Sequence, residues 1–201
     1  MLRVGLTGGI ASGKSTIAGF FEEFGALTLD GDLLAHEVMN AGGCAHDEVV
    51  AAFGEEIVLP DGRIDRPALG ARVFADPEAL SRLNAIVHPR VHEELKRRIE
   101  AYVAGGGEST IAVFHAALIV ESGGYRNMDR LIVAFCSRET QVARVMQRGL
   151  SEAEALARIA AQSSNETKLA LADYSINTEA SLEQTRKAAR EIHRRLLDRA
   201  G

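Results

Sequence analysis

The sequence has little that would tie this chain to a metal cluster, a membrane or nucleic acid. Its two cysteines, Cys44 and Cys136, form no C-x-x-C or Cys/His spacing, and we expect free thiols in a reducing compartment. Its 23 basic and 28 acidic residues give a net charge of −5, so no overall positive field favours nucleic acid. No apolar run approaches the roughly 20 residues of a membrane span, and the start lacks the apolar segment of a secretory signal. We therefore expect a cytoplasmic protein.

Short apolar segments alternate with helical patterns along the chain. Strands are predicted at 2–6, 26–30, 110–114, 130–135 and 173–177, and helices at 14–24, 32–39, 139–148, 151–161 and 182–197. Several of these strands are apolar throughout, which is typical of strands buried on both faces. The sequence therefore predicts an α/β fold with a parallel five-stranded sheet and helices on both faces.

One long segment departs from this alternation. Residues 40–104 contain helical periodicity and no convincing strand, which predicts a helical insertion. We expect a single domain, 1–201, with its core at about 1–39 and 109–201. Pro89 interrupts the longest periodic stretch, so His88 is predicted to lie at a break or kink.

The glycine-rich segment after the first strand carries the clearest chemistry. Residues 8–15 read GGIASGKS and fit the phosphate-loop pattern G-x-x-x-x-G-K-S/T. Glycines let successive N–H groups point at one anion, and the following helix adds its positive end. Lys14 would reach the β- and γ-phosphates, and the Ser15 hydroxyl would bind Mg²⁺. The predicted ATP-binding residues are Gly8, Gly9, Ala11, Ser12, Gly13, Lys14, Ser15 and Thr16.

Phosphate binding alone leaves the reaction open. The N-K-x-D motif of switch GTPases is absent, and a small chain with a helical insertion suits a kinase of the nucleotide-kinase type. The second strand ends in Asp30-Gly31-Asp32, at the sheet edge where the phosphate loop should lie. A carboxylate there could accept the proton of an attacking hydroxyl, hold a metal-bound water, or cap the next helix.

A series of motifs gives the chain a family resemblance. They are GLTGGIASGKST (5–16), DGDLLAHEV (30–38), GRIDRPALGARVF (62–74), LNAIVHPRV (83–91), LIVESG (118–123), ETQVARVMQR (139–148) and LSEAEALARIAAQ (150–162). In this order they resemble dephospho-CoA kinases, from residue 3 to about 177. The resemblance implies a P-loop kinase that transfers the γ-phosphoryl group of ATP, with Mg²⁺, to the ribose 3′-hydroxyl of dephospho-CoA.

The resemblance also implies roles for individual residues. Asp32 matches the catalytic aspartate, and Lys14, Arg144 and Arg148 would act on the ATP phosphates. The insertion would bind the acceptor, and a small helical lid would span about 144–165. The implied acceptor-binding residues are Asp32, His36, His88, Pro89, Leu118 and Glu121.

The departures from the family pattern lie near the chemistry. His115 and Ala117 replace an acidic residue and a proline that relatives commonly carry, and Gly149 lies in a lid that is one residue shorter. Asn177 and Thr178 fall in an altered segment near the expected adenine. Two alternatives therefore stay open: another small-molecule P-loop kinase with a nucleoside or nucleotide acceptor, and a catalytically weak ATP-binding relative. We expect a monomer, although the sequence is compatible with an oligomer.

Overall fold

Two compact units make up the chain in its computed structural model. The described residues are 1–200, so Gly201, the last residue of the predicted domain, lies outside them. The first unit combines the residues up to Asp30 with those from Glu108 onward, and the second unit is Gly31–Gly107. The predicted insertion at 40–104 falls within the second unit.

A parallel five-stranded sheet forms the centre of the first unit. Its strands are β1 (Leu2–Thr7), β2 (Leu27–Asp30), β3 (Ile111–His115), β4 (Arg130–Phe135) and β5 (Tyr174–Asn177). They lie in the order β2-β3-β1-β4-β5, and all four pairings are parallel. The predicted α/β fold with five parallel strands is confirmed. All carboxyl ends consequently meet at one edge of the sheet, where β1 runs into the phosphate loop.

The described part of the chain contains nine helices. They are α1 (Lys14–Glu23), α2 (Gly31–Met39), α3 (His46–Phe53), α4 (Arg66–Ala75), α5 (Pro77–Ala104), α6 (Arg138–Met146), α7 (Glu152–Ala160), α8 (Asn165–Leu169) and α9 (Leu182–Ala200). Short 3₁₀ helices lie at Glu55–Ile57 and Gly124–Asn127. The regular elements of the second unit are therefore helices, apart from an isolated bridge between Val58 and Ile64.

The core of the first unit lies on both faces of its sheet. On one face α1 and α9 pack against alternate strand residues; Leu6, Phe21 and Leu196 are among the fully buried members. On the other face, Leu131 and Val133 are also buried. Gly5 lies so close to Ile119 and Leu131 that an added Cβ would be 3.1 Å from each, which shows how tightly the segment after β3 covers this face. Burial on both faces explains why the strands are apolar without alternation.

Side-chain caps fix where several helices begin. The hydroxyls of Ser137, Ser151 and Ser164 each accept a hydrogen bond from the N–H group three residues ahead, at the starts of α6, α7 and α8. At α7 the carboxylate of Glu154 in turn accepts a hydrogen bond from the N–H of Ser151, which completes a capping box. These caps satisfy N–H groups that the first turns of the helices would otherwise leave without a partner.

Pro89 does not interrupt its helix. α5 runs through His88 and Pro89 as one helix of 28 residues, so the predicted break is wrong. A proline in a helix interior costs about 3 kcal/mol, because it removes an N–H donor and its ring crowds the preceding turn. Ile86, Val87 and Val91 are buried on both sides of it, where α5 packs along α2 and α4, and this packing offsets the cost.

Candidate active site

The phosphate loop lies between β1 and α1 and depends on close backbone approaches. A Cβ on Gly8 would be 2.1 Å from the carbonyl oxygen of Ala134, so only glycine fits there. Ala11 and Gly13 have positive φ angles of 58° and 86°, and the N–H of Ser12 donates to the carbonyl of Gly9 at 3.1 Å. The segment thus curls into a compact turn of the kind that presents N–H groups to an anion.

The amino end of α1 adds a positive partial charge to this turn. Gly13 precedes α1, and no described side chain caps the helix there. Ser15 and Thr16, in its first turn, are exposed. An anion at this end would therefore meet N–H groups that belong to the helix dipole, together with the hydroxyls of these two residues.

Lys14 folds back over the loop that precedes it. Its Nζ donates to the carbonyls of Gly8 at 3.0 Å and Gly9 at 3.3 Å. The ammonium group is thereby held against the loop, half-buried, next to the helix end. A cation in this position can neutralise charge on phosphate oxygens, which is the role expected of Lys14.

Ser12 carries an unsatisfied polar atom inside the loop. Its Oγ is fully buried and has no hydrogen-bond partner among the described residues. A buried hydroxyl without a partner costs free energy that a ligand oxygen at the loop would recover. The predicted ATP-binding residues, between 8 and 16, all lie in the segment that joins the carboxyl end of β1 to the first turn of α1.

Arg144 binds the loop from α6. One guanidinium nitrogen donates to the carbonyl of Ala11 and to the hydroxyl of Thr178, both at 3.1 Å, and the other donates to the carbonyl of Thr178 at 2.6 Å. Arg148, by contrast, is exposed in the turn after α6. The predicted helix 139–148 is two residues too long, because α6 ends at Met146 and Gly149 has a φ of 91°. The two arginines therefore do not share one helix face.

Thr178 is a loop contact whose structural role the sequence did not reveal. It is buried just after β5, and its hydroxyl donates to the carbonyl of Ser12 at 2.9 Å. Its methyl group lies 3.2 Å from the position of a Cβ on Gly13. Besides lying in the segment expected near the adenine, Thr178 thus supports the phosphate loop together with Arg144.

Glu121 forms an ion pair inside the first unit. Its Oε1 accepts from Nζ of Lys168, on α8, at 2.6 Å and from the N–H of Ser163 at 2.8 Å. Lys168 is fully buried, whereas the Glu121 side chain keeps 21% of its exposure. Burial alone would raise the pKa of Glu121, but the bonds from Lys168 and the backbone outweigh it and leave this pKa below its ordinary value. Its carboxylate is thus already engaged by the protein.

Breaking this pair should destabilise the fold. In Lys168→Met the carboxylate of Glu121 would lose its buried counter-charge, and we expect a loss of about 3 kcal/mol in the free energy of unfolding. Because the pKa of Glu121 is lowered, the pair stabilises above the ordinary value of 4.5 and loses its contribution as the pH falls below it. Urea denaturation at pH 7 and pH 4 measures both effects. The double variant with Glu121→Gln should regain part of the loss; equal stability of wild type and Lys168→Met would contradict the assignment.

Asp30 and His115 lie side by side at the carboxyl edge of the sheet. They end β2 and β3 in register, and Oδ2 of Asp30 is 4.0 Å from Nδ1 of His115. Protonation of the His115 imidazole would make this contact an ion pair. Leu118 follows on the same segment as His115 and is 41% exposed, as expected of a residue that a ligand could cover.

The remaining acceptor-side residues belong to the second unit. Asp32 lies in the first turn of α2 and His36 in its last, one helical turn apart on the same face. Nε2 of His36 contacts the guanidinium of Arg66, at the start of α4. His88 is half-buried on α5, and burial followed by the charge of His92 lowers its pKa, so it is neutral near pH 7. Pro89 is next to it in the same helix.

The donor types present fit a nucleotide better than a resident metal. Within residues 1–200, no group of three His, Cys, Asp or Glu side chains could hold a metal ion. Mg²⁺ that arrives with a nucleotide needs no such group, because waters and phosphate oxygens supply most of its ligands, and the exposed Ser15 hydroxyl fits the role of a protein ligand. The helices of the described chain include none that is long and apolar enough to cross a membrane.

The sequence comparisons connect nearly the whole chain to one enzyme family. Residues 2–184 match the family model described as dephospho-CoA kinase. A dephospho-CoA kinase from Geobacter sulfurreducens is 45% identical over 190 residues, which covers 94% of this chain and 95% of the relative. Another from Cupriavidus pinatubonensis is 42% identical and covers 100% of this chain and 98% of its own length.

Solved structures agree with the sequence comparisons. A crystal structure from Thermus thermophilus has a TM-score of 0.83 at 34% identity and covers 97% of both chains. A dephospho-CoA kinase from Campylobacter jejuni has a TM-score of 0.66 at 27% identity, with 96% of both chains covered. A shikimate kinase from Bacteroides thetaiotaomicron, at 12% identity with a TM-score of 0.56 and 97% and 98% coverage, shares the fold alone.

Proposed function

This chain belongs to the dephospho-CoA kinase family, and on that premise we propose that it transfers the γ-phosphoryl group of ATP to the ribose 3′-hydroxyl of dephospho-CoA. The products are CoA and ADP. The observation that carries the proposal is the phosphate loop, in which the Lys14 ammonium lies against the carbonyls of Gly8 and Gly9 beside the amino end of α1. We further propose a cytoplasmic, monomeric enzyme whose partners are these two small molecules.

ATP would bind through the predicted loop residues. The N–H groups at the start of α1 would receive the phosphates, and Lys14 would exchange its bonds to two carbonyls for bonds to phosphate oxygens. Ser15 would hold Mg²⁺, which would supply positive charge to the transferring group. Arg144 would act mainly by holding Ala11 and Thr178 in place, whereas the exposed Arg148 is the arginine available to the phosphates.

Asp32 would take the proton of the acceptor hydroxyl. It follows the end of β2 by two residues, in the first turn of α2, with His36 one turn further on. His88 and Pro89 would contribute to acceptor binding from α5, and Leu118 from the segment after β3. Glu121 would support this segment through its bonds to Lys168 and Ser163 rather than contact the acceptor itself.

The proposal is tested by the choice of acceptor. Purified protein with ATP and Mg²⁺ should release ADP with dephospho-CoA at about 1 s⁻¹ or faster, within the usual range for enzymes. Nucleosides and nucleotides in place of dephospho-CoA should give only background. Turnover with one of those acceptors instead would favour another P-loop kinase. ATP binding without transfer to any acceptor would favour a weak relative, in which His115 and the short lid matter.

A further inference from the structure

Glutamine side chains bond both backbone polar groups of Ile10, in the phosphate loop. The N–H of Ile10 donates to Oε1 of Gln162 at 2.7 Å, and Nε2 of Gln141 donates to the carbonyl of Ile10 at 2.9 Å. Each amide thus uses the atom that its partner requires, a carbonyl for the N–H and an NH₂ group for the carbonyl. Both bonds span more than 130 positions of sequence and are absent from the phosphate-loop motif itself.

The neighbouring loop residue leaves room for this arrangement. A Cβ on Gly9 would lie 2.3 Å from Nε2 of Gln141 and 3.7 Å from Oε1 of Gln162. Gln141, on α6, is only 5% exposed. A buried amide is costly unless it is hydrogen-bonded, so its bond to Ile10 satisfies the side chain as well as the loop.

Apolar contacts join the same elements. Ala11 packs with Val145, on α6, and Ala155, on α7, in a small buried cluster separate from the main core. The side chains of Ile10, Val142 and Leu150 surround it. The α6–α7 hairpin, residues 138–160, is therefore attached to the loop by packing as well as by the two amides.

The end of the hairpin is anchored in turn. Gln162 lies just beyond α7, and the next residue, Ser163, donates its N–H to Glu121 at 2.8 Å. Glu121 is itself held by the buried Lys168. The Glu121–Lys168 ion pair thus fixes the backbone next to Gln162, and with it the position from which the Gln162 side chain reaches the loop.

We propose that Gln141 and Gln162 are positioning residues that fix the two peptide groups on either side of Ile10 and couple occupancy of the phosphate loop to the α6–α7 hairpin. This rests on the proposed function, in which the loop binds ATP. Because Gln162 already uses the Ile10 N–H, that group is not offered to a phosphate, and the direction of the N–H groups that follow depends on how Ile10 is held. An anion that reduces the motion of the loop should therefore also reduce the motion of α7.

Methionine is the matched replacement, since it keeps the length of glutamine and removes its hydrogen-bonding groups. Gln162→Met and Gln141→Met are each compared with the control variant Gln147→Met. Gln147 is an exposed residue at the end of α6. Calorimetry with a non-hydrolysable ATP analogue and Mg²⁺ measures binding. We expect Gln162→Met and Gln141→Met each to weaken binding of the analogue about 3- to 10-fold, the usual contribution of one hydrogen bond. Gln147→Met should leave the affinity unchanged. The double variant should lose less than the product of the single effects, because both side chains hold the backbone of the same residue, Ile10.

Hydrogen exchange separates coupling from a purely structural role. In the wild type, the analogue should slow exchange across residues 152–160, and Gln162→Met should abolish that response. Unchanged affinity in both variants, or protection of α7 that survives Gln162→Met, would overturn the proposal even if the variants melt at a lower temperature. Failure of the proposed function would give a different result. Wild-type protein would bind the analogue and the two glutamine variants would bind it more weakly, yet no phosphate would be transferred to dephospho-CoA.

Discussion

Asp32→Asn is expected to lower turnover by about 10²- to 10⁴-fold, the usual contribution of a general base. Asparagine has nearly the same shape but cannot accept the proton of the acceptor hydroxyl. ATP affinity should change little, because the proposed phosphate donors lie in the loop after β1 and not in α2. Steady-state ADP release, together with calorimetric ATP binding, measures the two quantities separately.

Asp30→Asn is the matched control for this variant. Asp30 lies two residues earlier, at the end of β2, and faces His115. We expect a smaller loss of turnover than for Asp32→Asn. Since Asp32 also favours the amino end of α2, its replacement should cost about 0.3–1 kcal/mol of stability, far too little to explain the lost turnover. Wild-type turnover in Asp32→Asn would remove this residue from the reaction.

Lys14→Met should reduce kcat/KM for ATP by about 10²- to 10³-fold, as removal of one preorganised charge-stabilising donor does in other active sites. The ammonium that now bonds to Gly8 and Gly9 would be lost, and with it the charge that meets the phosphate oxygens. The chain should still fold, because these two bonds are local and Lys14 is only half-buried.

Lys187→Met, on the exposed face of α9, provides the comparison for the loss of one positive charge. It should retain wild-type kinetics and wild-type stability. An equal decline in both lysine variants would point to net charge rather than to the loop. Full activity in Lys14→Met would contradict the phosphate-loop assignment.

The sheet was predictable because its strands are buried on both faces. Segments such as 110–114 and 130–135 are short, apolar and bounded by polar turns, and they became β3 and β4 within a residue of the predicted limits. The uninterrupted course of α5 through Pro89 was not predictable, because it depends on packing against α2 and α4. α8, with only five residues, is too short for its periodicity to be recognised.

The phosphate loop was readable for a different reason. Its glycines, lysine and serine lie within a few residues of one another in the sequence, so a local motif is enough to predict a phosphate-binding loop. The groups that support the loop come from distant parts of the chain: Thr178, Gln141 and Gln162 reach it from after β5, from α6 and from after α7. No local pattern marks such contacts. The Glu121–Lys168 pair was missed for the same reason, since 47 positions separate its members.

The most direct measurement follows the phosphoryl group itself. Protein, Mg²⁺ and dephospho-CoA are incubated with ATP labelled at the γ-phosphoryl group, and the products are separated by mass and examined by phosphorus NMR. We predict that the acceptor gains one labelled phosphate as a monoester on its ribose 3′-hydroxyl, in amounts equal to the ADP formed. Release of labelled inorganic phosphate alone, with dephospho-CoA unchanged, would contradict the account.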